Sequence, residues 1–509
     1  MKRIQRLRLP AAALLVCMAA TVAGHAQTFD TLVRFNGKNG KNPGAPPVQG
    51  LNGNFYGTTS AGGAGNCATR NVICGTLFEI TPEGKLTTVH SFCSQPHCPD
   101  GGEPYAGLVQ IASGDLYGTT YAGGSGYGTI FEITPAGELT TLYSFCSQHE
   151  CSDGVEPTAA MVQAIDGNFY GTTIRGGANC VSALGCGTVF EITPAGKLTS
   201  LYSFCSQPQC ADGSSPSTGL VQATNENLYG TTSLGGNVCE FDSQGCGTVF
   251  KITPGGVLTT LYTFCSQTKC GDGGYPLGQL LQATDGNLYG TTGYGGAIGG
   301  GTIFKISLAG ELTTLYSFCS QPNCTDGYHP YAGLVQATDG NFYGTTNAGG
   351  GNGLGTIFEI TPEGKLTTLY SFCSEDYPKC TDGSNVGAGL VQATDGNFYG
   401  TTYEGGTGDG TLFSISVGLG PFVETLPTVG KVGTHVVILG TNLTGTTSVT
   451  FNGTNAAFIV LSDTQIDATV PTGATTGKVQ VMTPSGTLTS NVVFRVRPWI
   501  LNSRTYEYQ

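Results

Sequence analysis

Short runs of aromatic and β-branched residues recur along this chain, each bounded by Gly, Asp, Asn or Pro. Residues 334 to 372 show the unit: "LVQA", "TDGN", "FYGTT", a Gly-rich loop, "GTIFEIT", "PEGK" and "LTTLYSF". The apolar runs read as strands, and Asp-Gly and Pro-Glu-Gly supply the backbone conformations of tight hairpins. One unit is therefore a four-stranded antiparallel meander.

The unit repeats. "YGTT" occurs seven times, with its Tyr at 56, 117, 170, 229, 289, 343 and 399, and "GT[ILV]F" seven times, starting at Gly75, Gly128, Gly187, Gly247, Gly301, Gly355 and Gly410. A Gly pair lies between them in every unit, and the period is about 55 residues. Sheets repeated at this period cannot cover their own faces and pack on copies of themselves. The last unit stops at Ser416 without a fourth strand, while the N-terminal "TLVRF" (Thr31 to Phe35) is a fourth strand with nothing before it. Pairing the two leaves no open sheet edge. The expected fold is all-β: a seven-bladed β-propeller closed by the N-terminal strand. An open solenoid would need capping repeats, and none is visible.

Tandem units of the form "GG....GT[IV]F.[IL]TP.G.L..L[YH].F" resemble the GloVer (choice-of-anchor) repeat of exported bacterial proteins over nearly all of residues 31 to 416. The resemblance implies export or surface association and no shared activity. The C-terminal anchor that such proteins often carry has no counterpart in the ending "WILNSRTYEYQ". After the repeats the texture changes to alternating Val, Thr and Ile without Cys or Tyr. "GT.V.I.GTNL" (Gly433 to Leu443), "VTFNG" (Val449 to Gly453), "ATVP" (Ala468 to Pro471) and "G.V.V.TPSG" (Gly477 to Gly486) resemble an IPT/TIG domain, an immunoglobulin-like β-sandwich. That likeness implies a spacer or interaction module. The expected organisation is 1–26 signal peptide, 27–417 propeller, 418–498 immunoglobulin-like domain and 499–509 tail, with the two folded parts separable near Gly418.

The first 26 residues read as a secretory signal: Lys2, Arg3, Arg6 and Arg8, a short apolar core, then "GHA" before Gln27. Bulky Val16 argues against lipoprotein processing at Cys17. Removing these four basic residues from 21 leaves 17 against 34 acidic ones, a formal charge of −17. Nucleic acid and anionic membrane are poor partners for such a surface, and the mature chain has no apolar run long enough to span a bilayer. A secreted monomer is expected, whether extracellular, periplasmic or on the cell surface.

Eighteen cysteines remain beyond Cys17, in nine close pairs. Six follow the fourth strand: Cys93 with Cys98, Cys146 with Cys151, Cys205 with Cys210, Cys265 with Cys270, Cys319 with Cys324, and Cys373 with Cys380. Three flank the Gly-rich loop: Cys67 with Cys74, Cys180 with Cys186, and Cys239 with Cys246. An even count in an exported chain reads as disulfides. Zinc would need four converging ligands, and the only histidines in these loops are His97, His149 and His329, in different repeats. No metal or cofactor is expected. Strand parity puts all nine pairs on one face, with the long loops, where binding usually lives.

On that face "C.DG" places Asp100, Asp153, Asp212, Asp272, Asp326 and Asp382 in equivalent positions. They are the candidate binding residues, as a ring of carboxylates for a cation or a sugar, and the competing reading is an Asp-Gly turn that caps backbone groups. A second ring (Gln49, Gln110, Gln163, Gln222, Gln282, Gln336 and Gln392) falls on the channel-lining strand. Catalysis needs a nucleophile or acid/base pair that breaks the symmetry, and departures such as His90, Lys251 and Lys305 are scattered. The expectation is a non-catalytic binding or interaction protein for an extracellular glycan or a surface protein; the alternative is a polysaccharide-acting propeller enzyme.

Overall fold

The computed structural model describes residues 27–64, 74–178, 186–239 and 243–497. The expected signal peptide and C-terminal tail lie outside these residues. Seven four-stranded antiparallel sheets come first. In the sixth, Val335–Gln336, Phe342–Thr346, Thr356–Ile360 and Leu366–Ser371 pair in sequence order. The third and fourth strands of this sheet slip by one residue between Ile357 and Phe358, a bulge that five other sheets repeat at the equivalent place. Such bulges sharpen the twist of each sheet.

The seventh sheet draws its outer strand from the other end of the chain. Thr28–Arg34 pairs antiparallel with Thr411–Ser416, from Thr28 opposite Ser416 to Arg34 opposite Thr411. The strand begins three residues earlier than "TLVRF" suggests, because Phe29 has a place of its own. It stacks on Tyr370 of the sixth sheet at 3.9 Å.

Neighbouring sheets are joined by one repeated set of contacts. Tyr289 stacks on Phe342 at 4.2 Å and Tyr343 on Phe398 at 4.3 Å; Tyr399 stacks on Phe55 at 4.0 Å, so the seventh sheet meets the first as the fifth meets the sixth. Thr345 Oγ1 donates to the Ala388 carbonyl at 2.7 Å, and Thr401 Oγ1 to the Ala45 carbonyl at 3.0 Å. Five members of the Gln ring, Gln49, Gln222, Gln282, Gln336 and Gln392, belong to the same set, whereas Gln110 and Gln163 donate to the Gly114 and Gly167 carbonyls of their own turns. Gln392 Oε1 accepts the Thr338 N–H at 3.1 Å, and Gln49 Oε1 accepts the Thr394 N–H at 2.9 Å. These glutamines tie the turn of one sheet to the first strand of the next. Aromatic burial does most of the work: Phe35, Phe78, Phe131, Phe190, Phe250, Phe304, Phe358 and Phe413 are fully buried, each contributing about 2–3 kcal/mol by area.

The chain then forms a β-sandwich. One sheet holds Glu424–Leu426, His435–Leu439, Gln465–Thr469 and Ala457–Val460, and the other Thr454–Asn455, Ser448–Phe451, Val479–Thr483 and Gly486–Thr489. Val436, Ile438, Val449, Phe451, Val479 and Val481 fill the space between them. Among the described residues no helix is long and apolar enough to cross a membrane.

The N-terminal strand is a clasp in energetic terms. Phe35 is wholly buried and packs on Phe78 of the first sheet at 5.2 Å, so Phe35→Ala should cost ~3–5 kcal/mol. Deleting Asp30 to Phe35 should cost more, by uncovering the seam between the first and last sheets. Thermal denaturation checks both, and an unchanged melting curve would contradict the clasp.

Candidate functional site: the channel mouth

Six of the loops after the fourth strand are built around the motif "C.DG", and after the N-terminal strand Asn39-Gly40 takes the place of its Asp-Gly. The glycine is required sterically. At Gly40, Gly101, Gly154, Gly213, Gly273, Gly327 and Gly383, φ lies between 93° and 123°, and a Cβ would sit 2.3–2.6 Å from a Thr Oγ1. Those threonines pair across the second and third strands in all seven sheets, Oγ1 to Oγ1 at 2.8 or 2.9 Å, as in Thr292 with Thr302.

The aspartate before that glycine turns into its own loop. Asp272 is fully buried; its Oδ2 accepts the Tyr262 hydroxyl at 2.8 Å, the Ser266 N–H at 3.0 Å and the Ser266 hydroxyl at 2.9 Å, and its Oδ1 accepts the Gln267 N–H at 3.2 Å. Asp153, Asp212 and Asp326 hold the same partners. Asp382 keeps the Tyr370 and Ser374 bonds, but its longer loop leaves Oδ1 buried without a partner. In the first unit His90 replaces the tyrosine and bonds Asp100 at 2.9 Å. Burial, and next the neighbouring carboxylate, push the Tyr262 phenol up to about 12, with Ser266 acting against them. Each phenol therefore stays protonated and donates.

Among the described residues seven disulfides are formed: Cys93–Cys98, Cys146–Cys151, Cys205–Cys210, Cys239–Cys246, Cys265–Cys270, Cys319–Cys324 and Cys373–Cys380. Cys67 and Cys180 lie outside the described residues, so the pairings with Cys74 and Cys186 do too. The sulfurs of Cys246, Cys265 and Cys270 lie within 4.8 Å of one another, but they belong to two adjacent disulfides and are not thiolate ligands. The two kinds of long loop meet on one face, as isolated bridges such as Gly274 with Tyr294 and Tyr328 with Ala348 record.

Two residues beyond that glycine the backbone enters the left-handed region in all seven units. Asn42, Glu103, Glu156, Ser215, Tyr275, His329 and Asn385 have φ between 52° and 59°. Both backbone groups are tied down: the His329 N–H donates to the Gly300 carbonyl at 2.9 Å, and its carbonyl accepts the Asn347 N–H at 3.0 Å. Left-handed geometry costs a residue with a Cβ ~1–2 kcal/mol. Glycine would relieve it, and this chain uses 81 glycines, yet none stands here. Five residue types occupy seven superimposable backbones.

Two residues further on, a second ring faces the channel: Gly44, Tyr105, Thr158, Ser217, Leu277, Tyr331 and Gly387, lining a cavity of about 520 Å³. The glycines at 44 and 387 open a side pocket of about 400 Å³ walled by Pro43, Tyr105, Asn347, Asn385 and Tyr403. Burial, with Glu103 second, raises the Tyr105 phenol to about 12. Around the rim Tyr294 packs on His329 at 4.5 Å, and His329 lies 5.4 Å from Tyr331. His329 Nδ1–H donates to the Gly293 carbonyl at 2.7 Å. Burial lowers the His329 pKa, against the raising effect of that bond, which favours a neutral ring with Nε2 as an acceptor. Across the mouth Glu156 is held by Arg175 at 3.1 Å. The mouth is aromatic and carboxamide-lined on one side and hydroxylic on the other.

The aspartates stand out in the sequence because six of the seven units share them. The mouth residues are those that differ among units at fixed offsets from the shared glycine, a signal present in the same comparison.

Architecture defines the class: a propeller of seven repeated sheets followed by an immunoglobulin-like sandwich. The chain belongs to the family of the Gloeobacter/Verrucomicrobia repeat, which matches residues 20–241, 182–413 and 239–458, and it carries an IPT/TIG domain over residues 422–496. Comparison with curated proteins finds no match. Among solved structures, a fungal alcohol oxidase of the AA5 family in complex with copper is 13% identical, with 92% of this chain and 99% of that chain covered at a TM-score of 0.49. A putative gluconolactonase is 12% identical (78% and 94% covered, TM-score 0.35), and a luciferin-regenerating enzyme 10% identical (78% and 98% covered, TM-score 0.40). Likenesses this distant say nothing of this chain's chemistry.

If the carboxylates hold the loops, Asp272→Ala strands four buried donor bonds and should cost ~2–3 kcal/mol. Amide exchange at Ser266 and Gln267 should quicken while far-ultraviolet circular dichroism stays unchanged. Undiminished stability together with loss of a calcium-dependent melting shift would make the aspartates a cation site instead.

Proposed function

We propose that this protein is an exported binding protein whose channel mouth holds a neutral glycan. The observation that carries the reading is the ring of seven left-handed positions, where backbone strain is retained to present non-glycine side chains from an otherwise repeated scaffold. Beside it, the pocket of Tyr105, Tyr403, Asn347 and Asn385 combines flat amphipathic rings with carboxamides that donate and accept, the groups suited to a polyhydroxylated ligand. Tyrosine gives large contact area at low conformational cost. The acidic surface disfavours polyanions. The disulfides fit an oxidising compartment outside the cytosol. Support for binding over turnover comes from the mouth's titratable groups, each already engaged: Glu156 by Arg175, His329 by a carbonyl, Glu103 by the Tyr105 phenol and Glu404 by the Asn385 carboxamide.

A panel of neutral oligosaccharides presented to the full mature protein tests this. Retention without product is expected, and Tyr105→Ala or Tyr403→Ala should weaken it at least tenfold, ~1.4 kcal/mol. Released sugars would make the protein a glycosidase or lyase. Variants that bind as well as the wild type would move the site away from the mouth.

A further inference from the structure

We infer that the immunoglobulin-like domain stoppers the channel, so that the ring receives the end of a polymer chain from the disulfide face and cannot grip the middle of a chain passing through. The inference rests on the binding role proposed above and narrows the ligand to a chain terminus.

Four stretches of the domain reach the turns between first and second strands, on the face opposite the disulfide loops. The Phe422 N–H donates to the Thr394 carbonyl of the seventh sheet at 3.0 Å. Thr464 Oγ1 donates to the Leu51 carbonyl of the first at 2.8 Å, and Asn491 Nδ2 to the Gln336 carbonyl of the sixth at 3.3 Å. Arg495 Nη1 donates to the Thr224 carbonyl of the fourth at 3.0 Å, and Arg497 pairs with Glu226 beside it. The first and fourth sheets stand three places apart, the widest separation in a ring of seven. Contacts at the first, fourth, sixth and seventh sheets leave no gap as wide as half the ring, so they surround the axis.

The channel walls at that end include Val48, Val221 and Val391, on the first strands that lead into the turns of the first, fourth and seventh sheets. They therefore approach the domain, whereas Tyr105 and Tyr331 stand at the open mouth. An open channel could hold a chain anywhere along its length. A blind one admits an end, which leaves by the way it came.

Two measurements test the stopper. A Cβ at Gly53 would lie 3.6 Å from the Thr464 Cβ, within disulfide range. The double variant Gly53→Cys, Thr464→Cys should therefore cross-link on oxidation, as read by peptide mass spectrometry, and still bind like the wild type. Neutral β-1,4-glucan and β-1,4-mannan hexasaccharides attached to a surface through one end should bind at least tenfold better than the same sugars attached through both. Equal binding of doubly attached sugars would overturn the inference. So would a cross-linked protein that loses binding, because the domain would then have to swing aside, or a folded double variant that forms no cross-link. Silence across every singly attached glycan would overturn the glycan reading instead, and the cross-link would then decide the stopper alone.

Discussion

The seam between the first and last sheets is the constraint on which the rest depends. A ring of sheets has no cap, so every sheet needs a neighbour on both sides, and the seventh has only three strands of its own. Thr28–Arg34 supplies the fourth by pairing with Thr411–Ser416. Phe29 then reaches the sixth sheet, where it stacks on Tyr370, and Phe35 the first, where it packs against Phe78. The link is non-local, with the two strands separated by nearly the whole repeat region, so closure waits on the rest of the ring.

With the seam shut, the scaffold and the proposed recognition surface fall to different residues. Shared positions build the scaffold: threonine pairs across strands, the glycine that packs on them, the aspartate that pins the loop, and the glutamine that ties sheet to sheet. Because these direct their hydrogen bonds into the scaffold, they present little to a ligand. The residues between the glycine and the first strand are free of those duties, and there the seven units diverge. Tyr105, Tyr331 and Tyr403 and the paired glycines at 44 and 387 turn a sevenfold frame into an asymmetric mouth. A symmetric ring of identical groups would suit an ion on the axis; an uneven one suits an extended molecule held to one side.

Much of the ring was legible in the sequence because its signals are periodic. Strand order, hairpin turns, the count of seven and the borrowed strand all follow from where "YGTT", "GT[ILV]F" and the lone "TLVRF" fall. The early start at Thr28 was not legible, since Phe29 finds its place only against Tyr370 of another sheet. The aspartates could be read two ways, as ligands or as turn caps, because sequence does not say which way a carboxylate points; their hydrogen bonds run to Tyr, Ser and Gln of their own loops. The mouth escaped notice because it lies in the departures from the repeat. The docking of the immunoglobulin-like domain was invisible for a different reason: Leu51, Thr224, Gln336 and Thr394 contribute backbone carbonyls, which carry no sequence signature.

Amide hydrogen exchange across residues 28 to 34 tests the closed ring most directly. Protection of the Thr28–Arg34 strand should match that of Leu366–Ser371, its counterpart in the sixth sheet, since both would open only when the ring does. Exchange at the rate of an unpaired tail, with Leu366–Ser371 still protected, would contradict closure by the N-terminal strand.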